Sequence, residues 1–98
     1  MTIKKTQNGG ELTVALEGRL DTTTAPQLEA ELKNSLDGIN TLVLDFEKLD
    51  YISSAGLRVL LSAHTQMAKR DGMKVVHVNE TVSEVFDVTG FGDILDIE

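Results

Sequence analysis

A chain of 98 residues, 41% hydrophobic and 26% charged, has the length and composition of one globular domain (residues 1–98) and leaves no room for a second. Its formal charge of −7 opposes nucleic acid and anionic membrane surfaces, both of which need a basic patch, and favours a protein partner. With no cysteine, disulfides and thiolate metal sites are excluded; with no apolar run of spanning length and no signal-peptide core after Met1, the cytoplasm is the default address.

In chain order, Ile3 to Gln7 and Glu11 to Glu17 flank Asn8-Gly9-Gly10, residues that tolerate the positive φ of a tight turn, so the chain opens as a β-hairpin. In the second arm Leu12, Val14 and Leu16 alternate with Thr13, Ala15 and Glu17, the period of a strand covered on one face. Asp21-Thr22-Thr23-Thr24 then offers several helix caps, and Pro26 fits a first helical turn, where its missing N–H costs nothing. A helix to about Leu36 places Ala25, Leu28, Leu32, Ser35 and Leu36 on one side, with Gln27, Glu31, Lys33 and Asn34 facing away; Asp37-Gly38 ends it.

Thr41 to Phe46 is a nearly continuous apolar run, the composition of a central strand buried on both faces. A second helix begins near Ser54, carries Leu57, Leu60, Leu61, His64, Met67 and Ala68 along one stripe, and stops at Asp71-Gly72. Lys74 to Val78 is expected as a strand, Ser83 to Val88 as a short helix ending near Gly90, and Ile94 to Ile97 as a last strand. Strands alternating with helices after a hairpin define an α/β fold, a mixed β-sheet with helices packed mainly on one face, since three helices can shield only one side of a small sheet.

The stretch with chemical content is Tyr51-Ile52-Ser53-Ser54-Ala55-Gly56-Leu57-Arg58, where a buried strand meets a helix through two serines. Amides in a helix's first turn lack internal partners and the helix dipole is positive there, so an oxygen-rich anion on Ser53 or Ser54 is favoured; capping is the plainer role for either serine. Catalysis is discounted, because the serines lack a G-x-S-x-G elbow and nothing places His64 or His77 beside them. Phosphate-loop, dinucleotide, zinc and calcium motifs are absent, and no cofactor or metal is assigned.

Two blocks, Leu16-Glu17-Gly18-Arg19-Leu20-Asp21-Thr22-Thr23-Thr24-Ala25 and Leu42-Val43-Leu44-Asp45-Phe46 leading into Tyr51 to Leu57, resemble the STAS domain, and within it the bacterial anti-sigma factor antagonists. Their order and separation agree with the strand and helix pattern around them, so the resemblance covers nearly the whole chain. It implies that Ser54, two positions before Gly56-Leu57, is the phosphoacceptor of a protein that is a substrate and a switch, not an enzyme. Unphosphorylated, such a protein binds an anti-sigma factor that is also a serine kinase and frees the sigma factor. Phosphorylation separates the two and a metal-dependent serine phosphatase restores the binding form, with ATP and magnesium belonging to those partners.

The partner surface expected on this basis comprises Asp21, Thr22 and Thr23 with Ser53, Ser54, Gly56, Leu57 and Arg58. Asp21 has a second role open to it, as a helix cap. Many family members place an aspartate where this chain has Ser53, which keeps the choice between Ser53 and Ser54 open. The alternative is a STAS scaffold or adaptor in a signalling or transport assembly, never phosphorylated, with Ser54 only a cap.

Overall fold

The computed structural model describes residues 1–98. Strands β1 (Thr2–Asn8) and β2 (Glu11–Leu20) are followed by α1 (Ala25–Ser35), β3 (Thr41–Ile52), α2 (Ser54–Met67), β4 (Met73–Val76), α3 (Glu80–Thr89), a 3₁₀ turn (Phe91–Asp93) and β5 (Asp96–Ile97). The strands lie in the sheet in the order β1-β2-β3-β4-β5. Asn8 pairs with Glu11 across a two-residue turn in which Gly9 takes φ 58°, and the hairpin is antiparallel; every other strand pair is parallel, so the sheet is mixed.

Leu12, Val14 and Leu16 of β2 and Leu42, Leu44 and Phe46 of β3 are buried on the face that receives the helices. The residues between them, Thr13, Ala15, Val43 and Asp45, are only half-buried and belong to an open face. β3 is therefore central but covered on one face only, because all three helices are needed to shield the other. The core is one cluster of 24 apolar residues, with no buried polar or charged residue in it.

β3 also runs six residues past Phe46, the end its apolar run predicts. Ala15 pairs with Asp45 but Glu17 pairs with Lys48, so β3 uses three residues where β2 uses two. This bulge exposes both Glu47 and Lys48, breaks the alternation, and returns Leu49 and Ile52 to the core. A second shift follows, and the two strands end level, with Leu20 opposite Ile52. Both strand-to-helix turns thereby lie side by side at one edge of the molecule.

The remaining differences have local causes. In α2, Val59 and Ala63 are buried while Leu61 is exposed, as is Ala68 just past the helix, so the buried stripe is rotated from the expected one. β4 stops at Val76, because His77 adopts φ 58° and cannot continue a strand. α3 starts three residues earlier than expected because Asn79 caps it, its Oδ1 accepting from the Val82 N–H at 2.8 Å. β5 keeps only Asp96 and Ile97.

Candidate functional site

Ser53 ends β3 in an extended conformation (φ −101°, ψ 176°) and is the N-cap of α2. Its N–H donates to the Leu20 carbonyl at 2.8 Å, and its own carbonyl accepts from the Leu57 N–H at 3.0 Å, so its backbone joins the end of β2 to the first turn of α2. Its hydroxyl joins nothing: Oγ is buried, has no hydrogen-bond partner and caps no amide. Ser54, the first helical residue, is exposed. The amides of Ser54, Ala55 and Gly56 have neither a backbone nor a side-chain acceptor, and the first turn of α2 holds no acidic side chain. The positive end of this helix is thus uncompensated beside an exposed hydroxyl.

Next to it, Asp21 folds the β2–α1 turn. Its Oδ1 accepts from the Thr23 N–H (3.0 Å), the Thr23 hydroxyl (2.7 Å) and the Thr24 N–H (3.2 Å). These bonds, led by that from the Thr23 hydroxyl, hold its carboxyl below the usual carboxylate range against a smaller opposing effect of desolvation. Asp21 is not the N-cap of α1; Thr24 is, and its hydroxyl is turned to the Arg19 carbonyl at 2.8 Å instead of a helix amide. Pro26 in the first turn leaves one fewer amide to satisfy there.

Of the residues expected at a partner surface, the fold gathers Asp21, Thr22, Thr23, Ser53, Ser54 and Arg58 at one edge. Thr22 and Arg58, both exposed, line a shallow depression between the starts of α1 and α2, floored by Ala25, Ala55 and Val59. Gly56 and Leu57 are corrections to the expected set: Gly56 is buried and Leu57 only 3% exposed, so they pack α2 onto the sheet and offer no contact area.

Two further residues, outside the expected set, belong to this edge. Arg19 pairs with Tyr51 across β2 and β3, and its guanidinium lies 4.5 Å from the centroid of the Tyr51 ring. Its Nε is 3.8 Å from Asp21 Oδ2, so a cation is held beside the turn. Only the shifted strand register brings Arg19 opposite Tyr51, and no spacing in the chain announces it.

A separate group of titratable side chains lies on the open face. Asp45, Glu47 and His77 each bring one potential ligand atom within 4.8 Å of the others. His77 Nδ1 is 2.9 Å from Asp45 Oδ1, which also accepts from the Glu47 N–H at 3.0 Å. The hydrogen bond to Asp45 and its negative charge raise the His77 pKa. Burial pushes the Asp45 carboxyl up, but the bonds from His77 and the Glu47 N–H outweigh it and leave it lowered. The His77 ring is engaged with Asp45 and makes no hydrogen bond to Ser53 or Ser54.

The STAS domain family model matches residues 2–98. The chain is 42% identical over 90 residues to BtrV of Bordetella bronchiseptica, a candidate anti-sigma factor antagonist, with 90% of this chain and 78% of that protein covered. The crystal structure of an anti-sigma factor antagonist from Mycobacterium paratuberculosis superposes with a TM-score of 0.88 at 25% identity, covering 98% of this chain and 83% of that one. The phosphorylated form of SpoIIAA, a cell fate determinant of Bacillus, shares the fold with a TM-score of 0.75 at 19% identity, over 99% and 91% of the two chains. No helix is long and apolar enough to cross a membrane. A hairpin-led mixed sheet with three helices on one face, matched end to end by the family model, places this chain in the STAS domain family.

Proposed function

We propose that this chain is an anti-sigma factor antagonist, a cytoplasmic binding protein and not an enzyme, switched by phosphorylation of Ser54. The observation that carries the proposal is the exposed Ser54 at the N-terminus of α2, where no side chain caps the helix and the first amides have no acceptor. In the unphosphorylated form this edge binds an anti-sigma factor with serine kinase activity, which lets go of its sigma factor. The kinase transfers the γ-phosphoryl group of ATP to Ser54 Oγ and releases ADP, with the hydroxyl proton passing to a base of the kinase. A metal-dependent serine phosphatase hydrolyses the ester and restores the binding form.

Ser54 is exposed, whereas the Ser53 hydroxyl is buried, which supports Ser54 over Ser53 as the acceptor. A phosphate adds about −1.5 to −2 charges at neutral pH, which the open amides of α2 tolerate, so the fold persists and the effect falls on the partner. A hundredfold loss of affinity corresponds to about 2.7 kcal/mol, within what one misplaced charge in a partly desolvated contact costs.

The test is incubation with ATP and a cognate serine kinase from the same genome, followed by intact mass and complex formation for the native chain, Ser54→Ala and Ser54→Asp. A single phosphate absent from Ser54→Ala, with weakened binding by Ser54→Asp, is the expected result. Equal binding by all three forms with no added mass would instead make the chain a STAS scaffold.

A further inference from the structure

Ser53 Oγ is the one buried side-chain polar atom in the protein without a hydrogen-bond partner, an arrangement that costs stability. It occurs at an N-cap, in the extended backbone from which a serine hydroxyl ordinarily reaches the second or third helical amide. Asn79 makes that bond at the start of α3. Ser53 does not, although the amides of Ala55 and Gly56 in the turn it begins have no acceptor. The 14-residue helix α2 therefore begins with an unused hydroxyl and unused N–H groups, without a carboxylate in its first turn. All of these groups can donate, and none has an acceptor.

We propose that Ser53 is the positioning residue for a phosphate on Ser54. Rotation about its Cα–Cβ bond turns Oγ–H to a phosphate oxygen, and the Ala55 and Gly56 amides complete the cradle. The unpaired hydroxyl is thus spent on the modified form of the protein. This rests on the reading of Ser54 as the phosphoacceptor. A donor aimed at a phosphate binds the dianion more strongly than the monoanion, so its signature is a lowered second phosphate pKa, which a merely structural serine would not produce.

The experiment installs phosphoserine at position 54 of the full chain during translation, without any kinase, in native, Ser53→Ala, Ser53→Thr and Ser53→Asp backgrounds. The ³¹P resonance is titrated with pH in each. The native and Ser53→Thr proteins should lose the second phosphate proton about half a pH unit lower than Ser53→Ala, about threefold in the dissociation constant. Ser53→Asp should titrate higher than Ser53→Ala, because a carboxylate there repels the dianion. Should Ser53→Ala fail to fold, Ser53→Gly, well tolerated at an N-cap, removes the same hydroxyl. Identical titrations with and without the hydroxyl would overturn the proposal. Because the phosphate is placed without a kinase, that outcome is independent of whether a kinase ever modifies Ser54.

Discussion

Gly56 lies so close to Leu20 that a Cβ on it would stand 2.7 Å from Leu20 Cγ and 2.9 Å from Ile52 Cγ1. Both neighbours are fully buried, so neither can swing aside. The contact seats the first turn of α2 directly on the ends of β2 and β3, and with it the Ser53 N–H on the Leu20 carbonyl.

Gly56→Ala therefore sets two effects against each other. Alanine improves helix propensity by about 1 kcal/mol, whereas a methyl group forced into a filled core costs about 1–3 kcal/mol. Overpacking should win, lowering the urea midpoint and displacing the start of α2 from the Asp21 turn. An unchanged or raised midpoint would mean that the helix yields without resistance.

Asn79 uses both ends of its amide: Oδ1 accepts from the Val82 N–H at 2.8 Å and Nδ2 donates to the Leu49 carbonyl at 2.6 Å. Asn79→Ala removes the cap of α3 and strips a buried strand residue of a carbonyl partner. The expected loss is about 1–3 kcal/mol by denaturant unfolding. Asn79→Asp keeps the cap but sets a carboxylate oxygen against the Leu49 carbonyl, so it should recover little of the loss, whereas Asn79→Ser, which can cap without that repulsion, should fall between the native protein and Asn79→Ala.

What could be read from the chain follows the same division between local and cross-strand causes. The hairpin at Gly9-Gly10, the burial of α1 along Ala25, Leu28 and Leu32, and the strand-to-helix junction at Ser53-Ser54 each depend on neighbours within a few residues. β3 beyond Phe46 was hidden because its bulge is defined by pairing with β2, which no period in one strand reveals. Arg19 over Tyr51 and His77 against Asp45 were hidden likewise, since register brings the first pair together and a left-handed backbone at His77 helps form the second. Gly56 and Leu57 belong to the same junction but are buried in it, because the motif also marks how tightly α2 packs on the sheet.

The His77–Asp45 pair should leave a pH signature. His77 has its pKa raised by folding, so its contribution is complete below its ordinary value of 6.5 and fades as pH rises through the folded value. Asp45 has its pKa lowered, so its contribution is present above 3.8 and fades as pH falls through the folded value. The pair is therefore strongest between those limits. His77→Asn, chosen because asparagine tolerates the left-handed backbone, should narrow its gap in melting temperature from the native protein as pH rises from about 6 to 9. A gap that does not vary with pH would assign the loss to packing.

Asp21 can be divided into turn and charge. Asp21→Asn keeps an oxygen for the Thr23 and Thr24 N–H groups, while Asp21→Ala removes it. Because one carboxylate oxygen is already committed to the turn, binding of the proposed anti-sigma partner at the proposed surface should survive in Asp21→Asn and drop at least about tenfold in Asp21→Ala, roughly 1.4 kcal/mol. The depressed carboxyl pKa adds a check: the Thr23 amide resonance should titrate with a midpoint below 3.8, the turn being held above that midpoint and released as pH falls through it. Equal loss in the two variants would show that the partner reads the charge.

Ser54→Asp separates the fold from the switch. The substituted residue is the first of α2, beside amides that have no acceptor and in a turn without an acidic side chain, so a carboxylate there meets the positive end of the helix dipole. Such placement stabilises by about 0.3–1 kcal/mol at low ionic strength, and salt screens it. The variant should melt no lower than the native chain at pH 7. The gain should vanish as pH falls through the carboxyl's folded pKa, which the helix end holds below its ordinary value. If the charge acts on the docked partner, the same variant loses affinity while the domain itself grows firmer, two changes of opposite sign from one substitution. Ser54→Asn, uncharged and similar in size, should retain most of the binding; equal losses in the two would trace the effect to bulk at this edge instead of charge.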